Sequence, residues 1–131
     1  MEESKKIIPK KSDFLLYTTL EGNVKIEVFF QNETVWLTQQ LLAELFNTTK
    51  QNISLHFKNA FNDGELQENL VVKEFLTTAK DGKQYNTKYY NLDAIISVGY
   101  RVNSIQAMHF RIWATQILSQ YKVAFKETAK G

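Results

Sequence analysis

The chain contains no cysteine, which excludes disulfides and thiolate metal sites and suits a reducing interior. Its one proline, Pro9, sits in a polar, charged N-terminal stretch, MEESKKIIPKKS, that lacks the apolar core of a signal peptide. No apolar run approaches the roughly 20 residues that a membrane span requires. An excess of one charge is also lacking, because the formal net charge is only +2. That value permits nucleic-acid binding without demanding it, and it moves the question from total charge to where the charges sit. Internal repeats and low-complexity segments are missing as well. A soluble cytoplasmic protein is the expectation.

What is present is a chain of 131 residues with 44% apolar and 13% aromatic content, enough for one domain to bury its own core. Residues 1–12, with Lys5, Lys6, Lys10 and Lys11, read as a flexible basic arm, and residues 13–131 as a single domain. "FLLYTT" and "VKIEVFF" flank Glu21-Gly22-Asn23, and Val24, Ile26, Val28 and Phe30 alternate with Lys25 and Glu27. That pattern predicts an N-terminal β-hairpin with one buried face. A short extended piece, "TVWL", leads into a helical pair over about 38–62, and Asp63-Gly64 supplies a stop. "NLVVKEFLTTA" and "QYNTKYYNL", joined by Lys80-Asp81-Gly82-Lys83, predict a second hairpin over about 71–91. Asn91 then caps a helix over about 92–102, and Asn103 or Ser104 caps a last helix running to about 126. That helix runs so near the end of the sequence that a longer protein, of which this is the N-terminal part, is expected.

The helical pair, "LTQQLLAELFNTTKQNISLHFKN", carries the functional question. Thr38 is a suitable N-cap, with Leu37 placed to staple onto Leu42. Leu41, Leu42, Leu45 and Phe46 form one apolar face, Ala43 is small where a second helix would cross, and Asn47 tolerates the left-handed backbone needed to leave a helix. The second helix starts at Thr48 or Thr49 and turns Ile53, Phe57 and either Ala60 or Phe61 inward. Its outward residues are Lys50, Gln51, Ser54 and Lys58, with Asn52 to one side. Lysine suits guanine acceptors, and glutamine or asparagine can pair both edges of adenine. The first turns of a helix are the part that reaches base edges in the major groove, and their backbone N–H groups also favour a phosphate. Residues 47–62 contain no acidic residue, whereas a face chosen for solubility alone would more often carry glutamate.

A helix-turn-helix followed by a β-hairpin is the order of a winged helix. The predicted fold class is therefore α+β: a winged helix-turn-helix with an N-terminal β-hairpin and a two-helix C-terminal bundle. Lys50, Gln51, Asn52 and Ser54 are the candidate base readers. Thr38, Thr49, Lys58, Lys80, Lys83 and Lys88 are the candidate phosphate contacts. In the last helix Phe110, Trp113, Ile117 and Tyr121 form an apolar stripe, with Ile105, Met108 and Ile112 beside it. Most of this is expected in the core and part of it at a homodimer interface, since two-fold dimers suit readers of palindromic sites. Arg101 and Arg111 are expected in structural salt bridges. His56 and His109 share no motif with each other or with a carboxylate, and no HExxH, GxSxG, Walker or GxGxxG pattern occurs. No catalytic activity, cofactor, metal or small-molecule ligand is expected.

Three blocks carry a family resemblance: "WLTQQLLAELFNTTKQNISLHFKNAFNDGEL", "DGKQYNTKYYNLDAIISVGYRVNS" and "FRIWATQIL". From about Val24 to Tyr121 the chain resembles the N-terminal domain of RhuM-type virulence-associated bacterial proteins. More distantly, "FRIWATQIL" is similar to the tryptophan-containing helix of phage antirepressor and Bro-type N-terminal domains. The resemblance implies a DNA-binding module attached to further C-terminal sequence, with no established reaction. Asn47 stands where glycine is commoner at the turn. The expected function is thus double-stranded DNA binding in transcriptional or mobile-element regulation. The alternative is a protein-interaction module that keeps the helix-turn-helix as scaffold and docks a partner on the last helix. The first needs the outward lysines exposed, and the second needs the apolar excess of the last helix exposed.

Overall fold

The computed structural model describes residue 9, residues 13–19 and residues 22–130, with side chains through residue 120. The lysines of the expected arm and the side chain of Tyr121 lie outside the described residues. Among those residues the chain is an α+β fold of five helices and one five-stranded antiparallel sheet.

The alternating run around Ile26 and Val28 forms β2 (Lys25–Gln31), paired antiparallel with β1 (Phe14–Thr18). "TVWL" is more than a lead-in, for it forms β3 (Thr34–Leu37) and pairs back onto β2. Asn32 and Glu33 make that turn with φ of 55° and 61°, the doubly left-handed backbone that suits two-residue hairpins. The N-terminal hairpin is therefore a three-stranded meander.

Helix α1 (Gln39–Leu45) is capped by Thr38, whose hydroxyl oxygen accepts the Leu41 N–H at 3.2 Å. It ends at Asn47, with φ 54°. The Thr48 N–H returns to the Ala43 carbonyl at 2.9 Å and the Asn47 N–H to that of Glu44 at 3.4 Å, the paired closure that a left-handed residue permits. Thr49, not Thr48, caps α2 (Lys50–Asn62), accepting the Asn52 N–H at 3.0 Å. Gly64 then leaves the helix with φ 82°. Residues 68–71, expected in part as strand, form the short helix α3 (Glu68–Val71), so β4 (Val72–Thr78) begins a residue later than predicted. Ala79 and Lys83 close a three-residue loop onto β5 (Gln84–Asn91), with Gly82 at φ 85°. Asp81-Gly82 thus ends the loop of the predicted hairpin. Asn91 caps α4 (Leu92–Arg101) through the Ala94 N–H at 3.2 Å. Asn103 (φ 56°) terminates it, and Ser104 accepts the Gln106 N–H at 3.2 Å to start α5 (Gln106–Lys130).

The strand order is β1-β2-β3-β5-β4. One face, carrying Tyr17, Ile26, Val28, Val35, Leu37 and Tyr90, is packed with the buried side chains of α1, α2, α4 and α5 into the main core. Helices α4 and α5 cross so closely at Gly99 that a Cβ there would stand 2.5 Å from the Ala107 Cβ and 2.8 Å from the Phe46 ring. The other face bears a second core of Phe29, Trp36, Phe75 and Tyr89, with Phe14 against it. Strands β2 and β4 are three places apart, about 14 Å in a flat sheet, yet the Phe29 and Phe75 ring centroids lie 4.8 Å apart, edge to face. The sheet curls around these aromatics. The seam is the β3–β5 ladder, which has two rungs, Trp36↔Asn91 and Leu37↔Tyr90.

Candidate nucleic-acid interface

The buried stripe of α2 consists of Ile53, Phe57 and Ala60, with Phe57 stacked on Tyr90 at 4.2 Å between ring centroids. That stacking fixes the rotation of α2 against β5 and turns Lys50, Gln51, Ser54 and Lys58 into solvent, where all four are exposed. No acidic side chain interrupts the helix.

Between the start of α1, the start of α2 and β5 lies an open cleft of about 410 Å³, lined by Thr38, Gln39, Gln40, Lys50, Asn86, Thr87, Lys88 and Tyr90. A neighbouring depression of about 310 Å³ continues along α2 past Ser54 and Lys58, with Lys88 again in its wall. Period-2 alternation explains the β5 contribution: Asn86, Lys88 and Tyr90 share the helix-facing side. The Gln39 amide donates to the Tyr90 oxygen at 2.7 Å, which leaves the phenolic hydrogen to donate elsewhere. Burial, partly offset by that amide, pushes the Tyr90 hydroxyl above its ordinary pKa, so it is a neutral donor at physiological pH. One carboxylate intrudes, since Glu68 lies 3.9 Å from the Lys88 ammonium, both side chains more than half exposed.

Thr38, Lys50 and Lys88 meet at the first cleft, and Ser54, Lys58 and Lys88 at the second. Gln51 stands exposed on the open side of α2. Thr38 and Thr49 spend their oxygens on caps and keep their hydroxyl hydrogens. Asn52 is half-buried, and its amide donates to the Thr48 hydroxyl at 2.9 Å. Its side chain braces the turn and does not project with the other three candidates. Lys80 and Lys83 are exposed at the hairpin tip, five residues or about 17 Å along the strand from Lys88. The hairpin lysines therefore form two groups. Gln39, Gln40, Asn86 and Tyr90 were missed, although the strand alternation that places Lys88 also places Asn86 and Tyr90.

Arg101 is in the expected structural bridge, 2.7 Å from Asp63 and bound to Glu65 by two donors. Hydrogen bonds from Arg101 to Asp63, and from Ser97 and Arg101 to Glu65, hold both carboxyls below their ordinary range. Arg111 is exposed without an ion pair to a described residue, contrary to expectation. The apolar stripe of the last helix is expected mostly in the core, and two of its residues are packed there. Phe110 is fully buried, and Trp113 packs on Tyr17 and Phe110 at 5.1 and 5.5 Å, so these two serve the core. Ile117 is half-buried. The exposed apolar residues of this region are Ile105, Met108 and Ile112. No described helix is long and apolar enough to cross a membrane.

The model of the Virulence protein RhuM family matches residues 70–126. The matched stretch runs from α3 through the β4–β5 hairpin and α4 into α5. It contains the blocks "DGKQYNTKYYNLDAIISVGYRVNS" and "FRIWATQIL", and the α1–α2 pair precedes it. No curated protein and no solved structure matches the chain.

Proposed function

We propose that the chain is a DNA-binding domain of winged helix-turn-helix type, serving transcriptional or mobile-element regulation. In this reading α2 enters the major groove and the β4–β5 hairpin is the wing. Gln51 and Ser54 face base edges. One phosphate strand runs through the cleft between α2 and β5, held by Lys50, Lys88 and the Thr38 and Tyr90 hydroxyls, while Lys80 and Lys83 reach a more distant backbone segment. The observation that carries the proposal is the juxtaposition of an acid-free outward helix face with a lysine-flanked cleft. Each element alone has ordinary structural explanations. Their convergence from α1, α2 and β5 supports the reading.

The test is retention and sequencing of a random double-stranded DNA pool at several salt concentrations. A steep salt dependence with an enriched motif is expected. Gln51→Ala should relax the preference at one position, at a cost of about 1–3 kcal/mol. Lys83→Ala should weaken binding evenly on all sequences and lower the salt slope by about one unit. No retention at low salt would reject the proposal. It would favour the second reading, a protein-interaction module, for which the exposed Met108 and Ile112 on α5 and Ile105 just before it speak.

A further inference from the structure

Leu55 is 53% exposed on α2, and its position on the helix is informative. At about 100° per residue, it points within about 20° of the direction opposite the buried Ile53, Phe57 and Ala60. It therefore stands at the crest of the helix, flanked by the exposed Gln51, Ser54, Lys58 and Asn59. A protein partner would call for a contiguous apolar patch, and here one large apolar side chain stands in a field of amides, hydroxyl and ammonium. The major groove offers the complementary pattern: acceptors and donors along the base edges, and one isolated apolar group, the thymine 5-methyl.

We infer that Leu55 is a specificity-determining residue that packs against a thymine methyl group in the bound duplex, an inference that rests on the DNA-binding reading above. The helix geometry also places that thymine. Side chains four apart on a helix are about 5–6 Å apart, and successive bases on one strand are about 3.4 Å apart. The thymine contacted by Leu55 thus lies within about two base steps of the pair read by Gln51.

The experiment uses the motif enriched by the wild-type chain, resynthesised with deoxyuridine in place of thymidine at one position at a time. Deoxyuridine keeps every hydrogen-bonding group and removes only the methyl. One such replacement, within two steps of the position relaxed by Gln51→Ala, is expected to weaken wild-type binding about fourfold, the value of one buried methyl group. Leu55→Ser should bind the thymidine and deoxyuridine sites equally, and Leu55→Met should restore the discrimination. Because the side chain is exposed, neither variant disturbs the core, and an unchanged thermal midpoint checks this. A motif that forms with no replacement distinguishing wild type from Leu55→Ser overturns the role of Leu55 and leaves the DNA reading standing. A pool with no retention, or retention without a motif, overturns both sequence readout and the role of Leu55.

Discussion

Lys88 stands between two claimants of the same charge. Glu68 holds its ammonium at 3.9 Å with both side chains more than half exposed, so the pair is weak and screened by salt. A phosphate entering the cleft would compete with that carboxylate for one cation, and Glu68 would repel it as well. Glu68→Gln is accordingly expected to tighten binding to every duplex by about two- to fivefold, the scale of an exposed ion pair. The sequence preference should stay unchanged. Fluorescence anisotropy with one enriched and one unrelated duplex checks this, and a gain confined to the enriched site would reject competition for Lys88. Residue identity made the exposed face of the candidate site legible: the lysines and Gln51 are exposed as their chemistry suggests. Asn52 shows the limit. Its amide could serve a base or the local turn, and only the distance to the Thr48 hydroxyl decides for the turn.

At the level of the element, three helices end by the same device, at Asn47, Gly64 and Asn103, each with positive φ. A β-branched residue at Asn47 would meet the Cβ–carbonyl clash that an asparagine tolerates, so Asn47→Val should destabilise by about 1–2 kcal/mol. Asn47→Gly should cost little or stabilise the turn. Urea midpoints distinguish the two, and equal losses would mean that the asparagine side chain, not its backbone, supports the turn. Helix starts were readable because Thr38 and Asn91 announce themselves as caps. The turn at Asn32-Glu33 was not, because glutamate rarely supplies a left-handed residue and the preference of the paired strands overrides it. The short α3 escaped for the opposite reason. Its Val71, next to Val72, reads as strand, four residues are too few for helical periodicity to show, and Gln67 offers no side-chain cap.

For the whole molecule, the consequential feature is the aromatic core on the face of the sheet opposite the main core. The β4–β5 hairpin is joined to the meander by a two-rung ladder, which alone would leave it free to swing. Phe75, 2% exposed and edge to face with Phe29, Trp36 and Tyr89, fastens it instead. Phe75→Ala should cost about 3–5 kcal/mol and release the hairpin first. Hydrogen exchange at Thr77 and Tyr85 is expected to accelerate more than exchange at Phe57 in α2. Equal acceleration would show that the cluster supports the global fold and has no local bracing role. Strand alternation marks Phe29 and Trp36 as facing away from the main core. That they meet Phe75 depends on the curl of the sheet, a long-range property that local pattern does not encode.

The bracing has a kinetic consequence for the proposed duplex partner. A hairpin already held in place has no ordering step to complete after contact, so association becomes rigid docking whose speed follows the long-range field. Substitutions at Lys80 and Lys83 then show in the rate of encounter, and those at Gln51 and Leu55 in the residence time on the site.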